Sequence, residues 1–191
     1  RSADAGIDYI AHATFIGEDG ITRFDPALAD LIAEKGIFVD PCSPPTYPPV
    51  EGETITPRAK ELYDHGVKIV LGHDIGAVLP PSGYTYGMEQ LVASGLPEEE
   101  VLIAATSRGA AAVGLAGVTG LVAPGYDADL LIIHGNPLAM IGDVKRIEEV
   151  IIAGSTFLRD PVEPFDPDQR AQSFELKPRM RGLNARTQWV D

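Results

Sequence analysis

An α/β fold with parallel strands, joined to a smaller all-β appendage, is what this chain of 191 residues predicts, on three observations. Residues 1–116 alternate strand-like and helix-like segments in a repeating βα rhythm, the pattern of parallel strands linked by crossover helices. Past Gly117 that rhythm gives way to short apolar runs around Pro-Gly and Ala-Gly turns, the pattern of hairpins. Two strands of the first region end on polar side chains, His12 and Asp74, at the strand end where barrel enzymes keep their chemistry.

In chain order the first region reads as a helix end at Arg1–Ala5, a strand over Ile7–His12, a helix over Pro26–Lys35 and a strand over Gly36–Asp40. A proline-rich loop, Pro41–Pro49, leads to a helix over Pro57–His65 and a third strand over Val67–His73, whose start is rich in β-branched residues. Three strands with covering helices make only a piece of a sheet. After them come the loop Pro80–Tyr84, a helix over Thr85–Ser94, and one long helix from Pro97 to Leu115. This last helix carries proline in its first turn and Glu98, Glu99 and Glu100 beside the positive end of its dipole, both favourable placements. In the appendage, Thr119–Val122, the Pro124-Gly125 turn and Ala128–Ile133 read as one hairpin, and Val150–Ile152, Ala153-Gly154 and Ser155–Leu158 as another. Beyond Asp160 a tail punctuated by Pro161, Pro164, Pro167 and Pro178 is expected to run over the surface of a neighbour, with disorder the alternative.

Composition bounds the setting. With 45% hydrophobic residues the chain can bury the core of one domain. There is no run of about 18 apolar residues, so neither a transmembrane helix nor a membrane partner is expected. The start Arg1-Ser2-Ala3-Asp4 has neither an initiator Met nor the apolar stretch of a signal peptide, and the natural chain is expected to extend upstream. The single cysteine, Cys42, excludes an internal disulfide and a cysteine-based zinc cluster, and a cytoplasmic location is the default expectation. The net charge of −13 sits wholly in residues 1–158, which hold 9 basic and 22 acidic side chains, while residues 159–191 hold 6 of each. Such a surface repels phosphate backbones and argues against a nucleic-acid partner.

The segment Leu71-Gly72-His73-Asp74-Ile75-Gly76 places a carboxylate at a strand tip before a glycine-rich turn, and Gly6-Ile7-Asp8-Tyr9-Ile10-Ala11-His12 ends on an imidazole. Two strands that offer metal-type ligands at their carboxyl ends suggest a metal-assisted hydrolase. Each residue also has an ordinary structural alternative: an Asp before a glycine turn caps local amides, and a strand-end His is commonly a satisfied polar group.

Five segments together resemble the C-terminal half of the amidohydrolase superfamily, near its imidazolonepropionase and prolidase-like dipeptidase branches. Ala5–His12 is similar to the sixth barrel strand of the family and Gly72-His73-Asp74-Ile75-Gly76 to its eighth-strand motif. Leu96–Leu102 through Thr106 and Ala110-Ala111 resembles the helix that follows. Gly120–Leu130 and Gly135-Asn136-Pro137-Leu138 resemble a hairpin and turn after it. The resemblance covers residues 1–158 and implies a partial (β/α)8 TIM-type barrel, strands six to eight with their helices, plus part of a small β-sandwich. The expected organisation is residues 1–116 as barrel, 117–158 as sandwich appendage and 159–191 as extended tail.

By the same resemblance Asp74 is a metal ligand and the catalytic general base that later returns the proton to the leaving amine, and His12 is a ligand of a second metal. The implied cofactor is a divalent metal, one or two ions, with zinc the first expectation and manganese, cobalt or iron tolerated by mixed His and Asp ligands. Most family ligands lie upstream of Arg1, so the missing N-terminal portion of the barrel is the implied partner. The implied reaction is hydrolysis of an amide or cyclic C–N bond in a small-molecule or dipeptide substrate. Alternatives of other classes are a non-catalytic binding or assembly protein on a truncated barrel, and a non-hydrolytic enzyme such as an isomerase on the same fold.

Strand alternation adds expectations about facing. If Asp74 faces the barrel axis, His73 points to the outer layer; Asp8 and Ile10 share the face of His12, and Tyr9 and Ala11 face the helices. Ser82 and Tyr84, which follow the catalytic strand, and His73 are the candidate substrate-binding residues. Cys42 and Tyr47 sit in the preceding loop, and Cys42 lacks the His partner that a nucleophile needs. His65 and His134 are expected at the surface, and Asp127 and Asp129 are expected to shape a turn. Phe165, Phe174, Leu176 and Trp189 in the tail are apolar anchors through which a homo-oligomer could form.

Overall fold

A computed structural model of the chain describes residues 2–13, 15, 23–41, 58–72 and 84–157. The expectations for Cys42, Tyr47, His73, Asp74, Ser82 and the tail from 159 onward fall outside the described residues.

The βα rhythm is present, with strands shorter than their sequence patterns. A 3-10 turn at Ala3–Ala5 leads into β1 (Tyr9–Ala11), α1 (Pro26–Glu34), β2 (Phe38–Asp40), α2 (Ala59–Asp64) and β3 (Lys68–Ile69). The three strands form one sheet in the order β1-β2-β3, and both pairings are parallel. Tyr9, Phe38 and Lys68 lie side by side across it, as do Val39 and Ile69. The helices α3 (Tyr84–Ala93), α4 (Glu98–Ala105) and α5 (Ser107–Ala112) follow.

Local chemistry sets the helix ends. Asp25 caps α1, its Oδ1 accepting from the Leu28 N–H at 3.1 Å, with Pro26 in the first turn. Gly36 ends the helix turn at φ +67°, a conformation that glycine adopts without the steric cost of a Cβ. Replacing Asp25 with Ala leaves that N–H without its cap, and a loss of about 1 kcal/mol is expected in urea unfolding.

One face of the sheet carries the core. Val39 and Ile69 are fully buried, with Ala29 and Ile32 of α1, Ala59 and Leu62 of α2, Met88 and Leu91 of α3, and Val101 of α4 in the same apolar cluster. Leu62 is 0% exposed, so Leu62→Ala would open a cavity beneath the sheet. A loss of about 2–5 kcal/mol is expected, read as a shift of the unfolding midpoint.

The opposite face is where the strand-alternation expectation fails. Ile10, expected beside His12, packs against the apolar cluster. Tyr9, expected against the helices, is 39% exposed and shares its face with Phe38, Asp40 and Lys68. The Lys68 ammonium lies 5.2 Å from the Phe38 ring centroid on that face. The physical reason is at His12, whose φ of +68° takes it out of the strand conformation. Alternation counted backward from a residue that is not in the strand assigns every side chain to the wrong face.

The long helix expected from Pro97 to Leu115 is two helices. Thr106 breaks it at φ −123° and ψ −98°, its hydroxyl donating to the Leu102 carbonyl at 2.6 Å. The break admits Gly120, where a Cβ would lie 2.9 Å from the Ala110 Cβ and 3.0 Å from the Thr106 carbonyl oxygen.

The second sheet is antiparallel in the order β4-β5-β6, formed by Leu130–Ile133, Ile147–Ile152 and Ser155–Phe157. The hairpin over Val150–Phe157 with its Ala153-Gly154 turn is present. The hairpin expected from Thr119–Val122 is not: β4 pairs with β5 instead. The Asp129 carboxylate instead ties this region to the β5–β6 turn, accepting from the Thr119 hydroxyl at 2.8 Å and from the Ala153 N–H at 2.9 Å. Those bonds, the Ala153 N–H first, hold the Asp129 carboxyl below the usual carboxylate range. The turn that Asp129 bonds is the Ala153-Gly154 turn of β5 and β6, not the Pro124-Gly125 hairpin turn that Asp127 and Asp129 are expected to flank. His134 is exposed past β4. His65 ends α2, with Nδ1 2.6 Å from Asp30 Oδ1 on α1 and its ring 5.4 Å from that of Phe24.

Candidate functional site

At the carboxyl end of β1 the backbone turns left-handed at His12 and Ala13, φ +68° and +27°. Such angles are unfavourable for residues with a Cβ and persist where the surroundings fix them. Here the His12 N–H donates to the Asp40 carbonyl at 2.8 Å, carrying the β1–β2 ladder one residue past Ala11. The His12 residue is exposed at that strand end.

Asp40 closes β2 and is 5% exposed; among the described residues it is the buried charged one. The Tyr9 hydroxyl donates to its Oδ2 at 3.3 Å. Three residues past β3, a Cβ at Gly72 would overlap the Asp40 carboxylate, so a side chain there requires that carboxylate to move. Tyr84 opens α3, and burial together with the Asp40 charge raises its phenol above the usual tyrosine value. Tyr84 is 40% exposed, so solvent screens much of that influence.

The approach to Asp74 is braced from the helices. Arg108 Nη1 donates to the Ile69 carbonyl at 3.1 Å while Nη2 pairs with Glu100 at 2.9 Å, and the Leu71 N–H donates to the Ala104 carbonyl at 3.2 Å. An open pocket of about 340 Å³ lies under β1, lined by Ser2, Ala3, Ile10, Phe15, Leu28 and Ile32, on the helix side of the sheet.

Of the sequence-predicted site residues, His12 and Tyr84 are described, and Asp40 joins the end of the first strand to the influence on the second. His73, Asp74 and Ser82 fall outside the described residues. No group of three or more His, Cys, Asp or Glu side chains able to hold a metal occurs among the described residues. Sequence reasoning missed Asp40. Its signal was present, since Phe38-Val39-Asp40 is an apolar strand ending on a carboxylate, as the strand before Asp74 is.

Parallel strands covered by helices on one face define an α/β protein, with polar groups at the carboxyl ends of its strands as the candidate site. The chain belongs to the amidohydrolase family, whose model matches residues 10–157. It is similar to an imidazolonepropionase of Thermoplasma acidophilum, 30% identical over 122 residues that cover 62% of this chain and 28% of that protein. Among solved structures it is similar to a prolidase complexed with N-methylphosphonate-L-proline, at a TM-score of 0.64, 26% identity, and coverage of 83% of this chain and 42% of that one. A Xaa-Pro dipeptidase with bound methionine in its active site shares the fold, with a TM-score of 0.66, 23% identity, and coverage of 82% and 41%. These neighbours imply a TIM-barrel-type fold, of which the described residues form an α/β part. The chain spans less than half the length of each of these relatives.

Proposed function

We propose that this chain supplies part of the active site of a metal-dependent hydrolase that cleaves an amide or cyclic C–N bond in a small substrate, with prolidase-like dipeptides and imidazolone-type rings as the two substrate classes. The observation that carries the reading is the match of residues 10–157 to the amidohydrolase family together with polar groups at the carboxyl ends of parallel strands. In this reading β1, β2 and β3 are the sixth, seventh and eighth barrel strands, residues 1–116 are barrel, and residues 117–158 are part of a sandwich. Exposed Leu131, Ile132, Ile152 and Phe157 on the second sheet support a sandwich completed by other strands, since an isolated three-stranded sheet seldom leaves so many large apolar side chains in water. Copies of the chain would associate through the apolar side chains of residues 159–191.

The donor types fit the group the family implies. An exposed imidazole at the end of β1 and a carboxylate at position 74 are borderline and hard donors that suit zinc, with the remaining ligands contributed by the rest of the barrel. When bound, the ion supplies Lewis acidity and lowers the pKa of a water. His12 would hold it through a neutral ring nitrogen. Asp74 would hold it as well, take a proton from water as general base and hand that proton to the departing amine. Tyr84, Ser82 and His73 would line the mouth and contact substrate. Among the described residues no helix is long and apolar enough to cross a membrane.

The substrate branch is tested by assaying the complete protein against a panel of Xaa-Pro dipeptides and against 4-imidazolone-5-propionate. Turnover of either class supports the reading, and the class turned over selects the branch. Absence of hydrolysis of both by metal-loaded protein would contradict these assignments.

A further inference from the structure

Asp40 has no role in the reading above, yet its carboxylate sits where the three strand ends meet. Its backbone carbonyl accepts from the His12 N–H at 2.8 Å, its Oδ2 accepts from the Tyr9 hydroxyl at 3.3 Å, and its carboxylate fills the space that a Cβ on Gly72 would take. It is 5% exposed. Burying a carboxylate costs more than burying an apolar side chain of the same size, so space-filling alone does not explain an aspartate here. Three of its contacts do: the His12 N–H and the Tyr9 hydroxyl belong to the segment that ends on His12, and Gly72 lies two residues before Asp74.

We propose that Asp40 is a positioning residue that sets the end of β1, and with it His12, against the Gly72 backbone of the strand leading to Asp74. The proposal rests on the reading of His12 and Asp74 as metal ligands. The side chain acts by shape and hydrogen bonding: it receives the Tyr9 hydroxyl on one side and lies against the bare Gly72 Cα on the other, where a Cβ would displace it. Nothing in this role requires contact with substrate; what the side chain spaces are the end of β1, which carries His12, and the Gly72 backbone. Small displacements matter at such sites, where a shift of about 1 Å can cost roughly a hundredfold in rate.

The test uses the complete protein with zinc as the probe, its affinity measured by competition with a chromophoric chelator, beside thermal unfolding as a check on the fold. Asp40→Asn keeps the volume and an acceptor for Tyr9, and zinc affinity close to that of the parent is expected. Gly72→Ala forces the carboxylate aside, and affinity should fall by about 10- to 100-fold, the range for groups that orient ligands. Removing the obstacle in the double variant Asp40→Ala/Gly72→Ala should restore part of the loss relative to Gly72→Ala alone. On a substrate that the complete protein turns over, Gly72→Ala should lower kcat more than it changes KM. Unaltered zinc affinity in Gly72→Ala would overturn the proposal, as would a collapse of zinc affinity in a folded Asp40→Asn, which would assign the effect to charge. His12→Asn separates the two layers. If it leaves zinc affinity unchanged, the ligand reading fails; if it abolishes binding while Gly72→Ala does not weaken it, only the positioning role fails.

Discussion

Asp74→Asn is expected to lower the turnover of the complete protein by at least about a hundredfold, the lower range for loss of a group that moves protons in the transition state. Asparagine preserves the size of the side chain and an acceptor oxygen, so the fold should persist. What is lost is a basic oxygen that can take a proton from water and return it to nitrogen. The effect belongs in kcat, because a general base acts in the transition state and contributes little to ground-state binding. The measurement is steady-state kinetics on a turned-over dipeptide or cyclic C–N substrate. Activity within a few-fold of the parent would remove Asp74 from the mechanism.

His12→Asn should act on the metal before it acts on the rate. An amide at this position cannot replace an imidazole nitrogen as a donor to zinc, so the complete protein should lose metal under dialysis conditions in which the parent retains it. Turnover falls in proportion to the zinc lost and recovers in part when zinc is supplied in excess. The backbone adds a specific expectation: His12 holds φ +68° with its N–H bonded to the Asp40 carbonyl. Asparagine tolerates that left-handed angle better than most residues, so the metal-free variant should unfold at nearly the same temperature as the metal-free parent. Metal loss without a loss of stability is the signature of a ligand; unfolding with no change in metal content is the signature of a structural residue.

Much of the fold was legible in the sequence because it depends on local patterns. The βα rhythm, the Pro26 and Pro97 helix starts and the Ala153-Gly154 turn are read from residues within a turn or two of one another, and all are present in the structure. What failed depended on distant partners. Thr119–Val122 looks like a strand, but the Asp129 carboxylate takes the Thr119 hydroxyl and the Ala153 N–H, and β4 pairs with β5, a segment about 20 residues away. The helix after Pro97 looks continuous until Gly120 packs at the Thr106 break. The facing of β1 was inverted because His12 was counted as part of a strand that ends at Ala11.

The site was legible in the same uneven way. His12 stands out as an imidazole at a strand end, and Tyr84 as an aromatic at the start of the helix that follows. Asp40 did not, although it closes the strand read over Gly36–Asp40, because no local pattern shows what its carboxylate meets. Its importance emerges only when Tyr9 and Gly72, 31 residues upstream and 32 downstream, are brought against it. Residues that contribute through contacts with distant strands leave little trace in a local pattern.

The most direct test of the central claim is removal of metal from the complete protein with a chelator, followed by assay of C–N bond hydrolysis before and after zinc is returned. Hydrolysis should disappear with the metal, return with it, and fail to return in Asp74→Asn. Hydrolysis that survives complete removal of metal would contradict the central claim.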